Sequence, residues 1–171
     1  MLKGDISGSG SLEQIGSGVT VLAGNNSYGG GTTLQSGTLV VGLGDSGGIA
    51  GNIVNNASLA FNRADKYSFS GAISGTGAVW QIGEGTTVLS GNSSYSGATG
   101  VYDGRLAING SIATSSLVTV YGGGELGEWQ RFHHAYRRGH ACARQFHRNA
   151  DGERRFELHR HIDLCRGGFG I

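Results

Sequence analysis

Three groups of residues in this chain have the types that chemistry needs. The stretch GDSGG, Gly44–Gly48, presents Ser46 in the setting of a serine-protease nucleophile. That chemistry requires a histidine base within hydrogen-bond reach, itself oriented by an acid. Proteases with this motif supply the histidine before the serine, whereas all six histidines here follow residue 132. A Gly/Ser/Asp turn between strands accounts for the stretch without chemistry. The second group is His133-His134, His140-x-Cys142, His159-x-His161 and Cys165. Structural zinc sites show close Cys or His pairs at both ends with regular spacing, and no C-x(2–4)-C occurs here. The third group is the nine arginines after Gly127, with Phe132, Tyr136, Phe146 and Phe156 among them. Arginines neutralise phosphates and aromatic rings stack bases. This run has neither a nucleic-acid motif nor a period, which leaves at most weak non-specific polyanion binding. GSGSLEQIG, Gly8–Gly16, lacks the third glycine and the helix of a dinucleotide loop. No catalytic, cofactor-binding or metal-ligating residue is therefore assigned, no cofactor is expected, and the chain is read as non-enzymatic. Neither specific nucleic acid nor a small-molecule substrate is expected as a partner.

The elements that would position such groups fall into two compositions joined near Gly127. Residues 1–127 carry four basic side chains against seven acidic ones, and residues 128–171 carry nine arginines against five acids with no lysine. All histidines and both cysteines lie in the second part. The first part has 34 − 5 = 29 of the 34 glycines, without a three-residue period, and the chain has no proline, so it is not collagen. Its glycines separate short runs such as VTVLAG, GTLVVG and LVTVYG, which read as strands bounded by turns. No helical period of useful length appears. The start, MLKGDISGSG, has no apolar core segment or cleavage site of an export signal, and no apolar run is long enough to span a membrane as a helix.

A repeat organises the first part. The segment beginning at Gly4 aligns without a gap on that beginning at Gly71, an offset of 71 − 4 = 67 residues with about half the positions identical. Matches include turn residues (Gly24/Gly91, Asn25/Asn92, Tyr28/Tyr95) and apolar ones (Ile15/Ile82, Val21/Val88, Leu22/Leu89, Leu39/Leu106). One unit of short strands cannot bury its apolar face alone, but stacked on a neighbour it forms a continuous aliphatic ladder. At roughly 20–25 residues per coil, one unit should make about three coils. Tyr28 and Tyr95 either stack at matching corners or are surface turn tyrosines.

The stretch SLAFNRADKYSFSGAISGTGAVWQIGEGTTVLSGNSSYSGATGV, Ser58–Val101, resembles the passenger-associated strand repeat of bacterial autotransporters. Gly4–Gly42 is similar, and LVTVYGGGELG, Leu117–Gly127, resembles the strand that closes such a unit. Trp80–Gln81 departs from the usual Thr-Lys of that repeat, at a position that tolerates change. The resemblance implies an all-β, right-handed parallel β-helix over residues 4–127. It implies a surface-exposed stalk or adhesin-like module, displayed at the outer membrane or secreted, and carried there by a C-terminal β-barrel that this chain as written lacks. Implied partners are a host surface and further β-edges, with self-association through them. The alternative is the stalk of an autotransporter enzyme whose catalytic domain lies elsewhere.

The tail is read through the genetic code. In the resembling repeats GGGELGG leads to a stretch ending LAPGNSIGTLTVNGDL. Shifting by one nucleotide from Ala141 makes each new codon from two bases of one residue and one of the next. Ala141/Cys142 then allows Leu, Cys142/Ala143 Ala, Ala143/Arg144 Pro and Arg144/Gln145 Gly. Every following pair through Phe156/Glu157 allows the next residue of that stretch. Residues 128–171 thus read as a +1 frameshifted continuation, without a native fold, disordered or weakly helical around ERRFELHRHIDLCR. Such a tail should not extend the ladder. Two domains follow: 1–127, two copies of the repeat, and 128–171, an out-of-frame tail.

Overall fold

The computed structural model describes residues 1–127 and two short tail strands, 147–148 and 154–156. The described chain is all-β and winds as a solenoid whose strands stack in parallel. Three columns of strands run along it. The first holds β1 (Leu12–Gln14), β3 (Thr32–Leu34), β5 (Ile53–Asn55) and β8 (Ile73–Ser74). The second holds β2 (Val19–Leu22), β4 (Thr38–Val41), β6 (Ser58–Phe61), β9 (Ala78–Gln81), and the first halves of β11 (Thr99–Ile108) and β12 (Val118–Leu126). The third holds β7 (Lys66–Phe69), β10 (Thr86–Leu89) and the second halves of β11 and β12.

Period-two alternation decides which residues fill the interior. In the second column Leu22, Val41, Phe61, Gln81, Val101 and Val120 stand in register, one per coil. Leu39, Leu59, Val79, Thr99 and Val118 form a second inward row beside them. All are buried. Burying each large aliphatic or aromatic side chain contributes about 1.5–3 kcal/mol, so this ladder is the main source of stability. Corners lack the full strand ladder, and short polar side chains fill the gaps one coil apart. Asp5 accepts from the Asn25 amide (2.7 Å), Asn26 from Ile6 (2.9 Å) and Asn52 from Ala72 (2.9 Å).

Successive coils are 19–21 residues long: Val19 lies beside Thr38, Ser58 beside Ala78 and Thr32 beside Ile53. The 67-residue repeat therefore exceeds three 20-residue coils by 7 residues, a third of a turn. The expected three coils per unit is corrected accordingly. Each segment of the second copy lies one column further round than its equivalent in the first. β1 of the first column corresponds to residues 79–81 of β9 in the second, and β2 of the second column to β10 of the third. The displacement is tolerated because each column asks the same thing of its strand: apolar side chains inward and neighbours one coil away.

At the far end β14 (Arg154–Phe156) runs antiparallel to Val118–Val120, and β13 (His147–Arg148) runs antiparallel to β14. At these five positions the tail is extended rather than helical, and it does pair with the ladder, in the sense opposite to every coil. An open strand edge offers unpaired amides and carbonyls to any extended segment, which is the physical reason. The rest of the expected helical or disordered tail lies outside the described residues.

Candidate functional site

Ser46 sits in the loop between β4 and β5, and it is exposed. Its Oγ donates to the Leu43 carbonyl at 3.1 Å, and the Leu43 and Ser46 backbones bond each other across the turn. Among the described residues its partner is this turn: the serine closes it.

What the loop does have is a clamp. Arg63, buried just after β6, donates from Nη1 to the Gly47 carbonyl and from Nη2 to the Asp45 carbonyl (2.9 Å). Its Nε and Nη2 also form a two-point pair with Asp65 Oδ1 and Oδ2, each at 2.8 Å. The hydrogen bonds from Arg63 hold the Asp65 carboxyl below the usual carboxylate range. The guanidinium lies over the Tyr67 ring, 5.5 Å from its centroid. The Tyr67 hydroxyl donates to the Ile49 carbonyl (2.9 Å) and accepts from the Ile49 amide (3.0 Å), and burial pushes its pKa up. The planar five-donor fork suits this task, because it serves a carboxylate and two carbonyls at once. The FNRAD stretch is therefore the device that pins the GDSGG loop to the solenoid. Sequence reasoning noted both stretches and did not connect them, since 16 residues separate Arg63 from Gly47.

Tyr28 and Tyr95 neither stack on each other nor lie at the surface, which corrects both expectations. Both are buried, and each hydroxyl bonds the threonine four residues on, Thr32 or Thr99, at 2.7 Å. More than three coils apart, at about 4.8 Å per coil, the two rings cannot meet. Thr99 Oγ1 continues to Ser115 Oγ at 2.9 Å, and Ser115 donates on to the Gly97 carbonyl at 2.9 Å. Burial raises the Tyr95 pKa to about 12, with the hydrogen bond between it and Thr99 opposing the shift, and burial raises that of Tyr28 in the same direction. The Gln81 side chain is buried as well, and its amide donates to the Gly83 and Gly85 carbonyls at 2.7 and 3.3 Å. Gln14 binds the Gly18 carbonyl in the same way in the first copy (3.0 Å).

Among the described residues no group of three or more His, Cys, Asp or Glu side chains is gathered for a metal ion. His133, His134, His140, Cys142, His159, His161 and Cys165 lie outside the described residues, as do Phe132, Tyr136 and Phe146. Of the tail positions weighed, Arg148 falls in β13 and Arg154, Arg155 and Phe156 in β14.

The segments that recur with this geometry are also those that match a known family. Residues 12–41 and 81–108 match the Passenger-associated-transport-repeat. These two segments match autotransporter passenger repeats. Over 100 residues it is 44% identical to the Adhesin BmaC autotransporter of Brucella suis biovar 1 (strain 1330). That alignment covers 57% of this chain and 3% of the adhesin, so the chain spans a small part of its relative's length. No solved structure matches the chain. The matched segments hold β1–β4, β10 and β11, the buried Gln14 and Gln81, and the two Tyr–Thr pairs. Their shared residues shape turns and core.

Proposed function

We propose that residues 1–127 are a length of structural, adhesin-like stalk on the outside of a bacterial cell, with no catalysis of its own. The observation that carries this reading is the unbroken inward ladder from Leu22 to Val120, one residue per coil over six coils, built on matched passenger repeats. The protease-like stretch is used up in holding its own loop, which supports a non-enzymatic role. The name of the similar Brucella protein, an adhesin, supports surface display and contact with a host surface. Rung-by-rung folding outside the cell would then help to draw the chain through a β-barrel translocator. The first coil leaves Ile15 74% and Val19 66% exposed along the edge of β1 and β2, which supports association through β-edges. We read residues 128–171 as the out-of-frame continuation of the next repeat, on the codon correspondence from Ala141 to Glu157.

The stalk reading is tested by joining the chain to an export signal and an autotransporter barrel in a Gram-negative host. Antibody should label residues 1–127 on intact cells, and the cells should gain no esterase or peptidase activity. A Ser46-dependent hydrolysis would defeat it. The frame reading is tested by the nucleotide sequence around codon 127, which should restore LAPGNSIGTLTVNGDL one base on.

A further inference from the structure

The outward row of the second column runs Val21, Val40, Ala60, Trp80, Gly100 and Thr119 in register, and one residue in it is out of character. Trp80 stands where the resembling repeats have a threonine. Its Nε1 donates to Ser58 Oγ on the preceding coil at 2.8 Å. At its other end Cε3 and Cζ3 lie over Gly100 of the following coil, 2.4 and 2.5 Å from where a Cβ would stand. The indole is thus laid along three coils and fixed at both ends, and only glycine at position 100 leaves room for it. Tyr102 follows at a centroid distance of 5.7 Å and a tilt of 43°. It is 44% exposed and is backed by Tyr121, whose ring is parallel at 4.1 Å. Tyr102 falls at the irregularity in the β11–β12 register, between Val101 and Asp103, which turns it out of the regular alternation.

We infer that Trp80 and Tyr102 form a binding platform for a neutral oligosaccharide. A ring held flat offers its face to the C–H face of a sugar ring without losing rotamer freedom on binding. Hydroxyls accompany it in the same neighbourhood, at Ser58 and Thr119, to meet sugar hydroxyls. Within residues 1–127 the row carries no charged side chain, and the position in register beyond Thr119 is Arg155 of β14; beside Tyr102 the Asp103 carboxylate accepts from the Gly104 amide at 2.8 Å. At Trp80, two coils short of Arg155, the neighbours along the row are Ala60 and Gly100, so the indole meets a ligand with its apolar ring rather than with charge. Size argues against a second protein as the occupant. A stable protein interface needs roughly 800 Å² per partner, whereas two partly covered aromatic side chains present a small fraction of that.

The inference goes beyond the stalk reading, and its test uses the purified full chain, so its failure leaves that reading standing. With Trp129→Phe as background, Trp80 is the sole tryptophan of the two in the chain. Its fluorescence is titrated with maltohexaose, cellohexaose and the hexamer of N-acetylglucosamine. At least one should give a saturating change with a Kd of about 1 mM or tighter. In the natural background, calorimetric titration with that sugar should weaken by about tenfold or more in Trp80→Thr, with melting moved by no more than about 2 °C. Ser58→Ala, which frees the indole without removing it, should weaken binding several-fold. Three results overturn the inference: no saturation by any of the three sugars, equal binding by Trp80→Thr, or sedimentation showing a Trp80-dependent dimer, which would make the strip a contact between copies.

Discussion

Raising the pH should unfold this solenoid through one hydroxyl more than any other. Tyr95 is fully buried, its hydroxyl is bonded to Thr99, and burial raises its pKa to about 12. In the unfolded chain a tyrosine titrates near pH 10. Between those values the unfolded state has lost a proton that the folded state still holds, so stability falls with rising pH. The contribution is fully present below about pH 10 and is lost as pH climbs through the folded value. At about 1.4 kcal/mol per pH unit, the two-unit window costs about 2–3 kcal/mol. Tyr28 and Tyr67 are shifted in the same direction and steepen the fall. The assay is urea unfolding followed by far-UV circular dichroism at half-unit steps from pH 8 to 12, with tyrosinate absorbance read in parallel. With a urea slope of roughly 1–3 kcal/mol per molar, the midpoint should drop by about 1–2 M across the window. Tyr95→Phe is the control. It loses one buried hydrogen bond, about 1 kcal/mol at neutral pH, while Thr99 keeps Ser115 at 2.9 Å. The variant should then show a shallower alkaline slope than the natural chain, and the two stabilities should converge near pH 11. A natural chain whose midpoint is flat from pH 10 to 12, or a variant with an unchanged slope, would refute the reasoning.

Arg63→Ala strips the Asp45 and Gly47 carbonyls of their donors, so the loop from Gly42 to Ile49 should exchange its amides faster at a cost of about 2–3 kcal/mol. Arg63→Lys should rescue little of this, because one ammonium cannot span a carboxylate and two carbonyls. Gly97→Ala would place a Cβ 2.1 Å from the Gly77 carbonyl oxygen of the preceding coil. The coils must part there, and thermal melting should show a loss of more than about 3 kcal/mol. Ser46→Ala, by contrast, touches an exposed turn hydroxyl and should change stability by less than about 0.5 kcal/mol, with no hydrolysis of peptide esters before or after. Addition of a chelator should leave the melting of residues 1–127 unmoved, and a chelator-sensitive transition there would reveal a metal site.

The strands, their turns and the need to stack were legible in the sequence, because alternation and glycine punctuation act over a few residues. VTVL, TLVV and TTVL each carry their inward and outward parity in their own order, and each is a strand. The 67-residue repeat was legible too, and it pointed to units that must stack on one another as coils. What it did not reveal is how the repeat sits on the coil, since the coil length follows from backbone pairing across 19–21 residues and leaves no mark in a two-copy alignment. That one-third-turn displacement, decided only by the tertiary structure, sends equivalent strands to different columns. The same holds for the sites. Ser46 lies in a familiar pentapeptide, but its role depends on Arg63, which the next coil brings back against it. Trp80 is a single substitution in a line of text, and becomes a fixed platform only because Ser58 lies one coil before it and Gly100 one coil after.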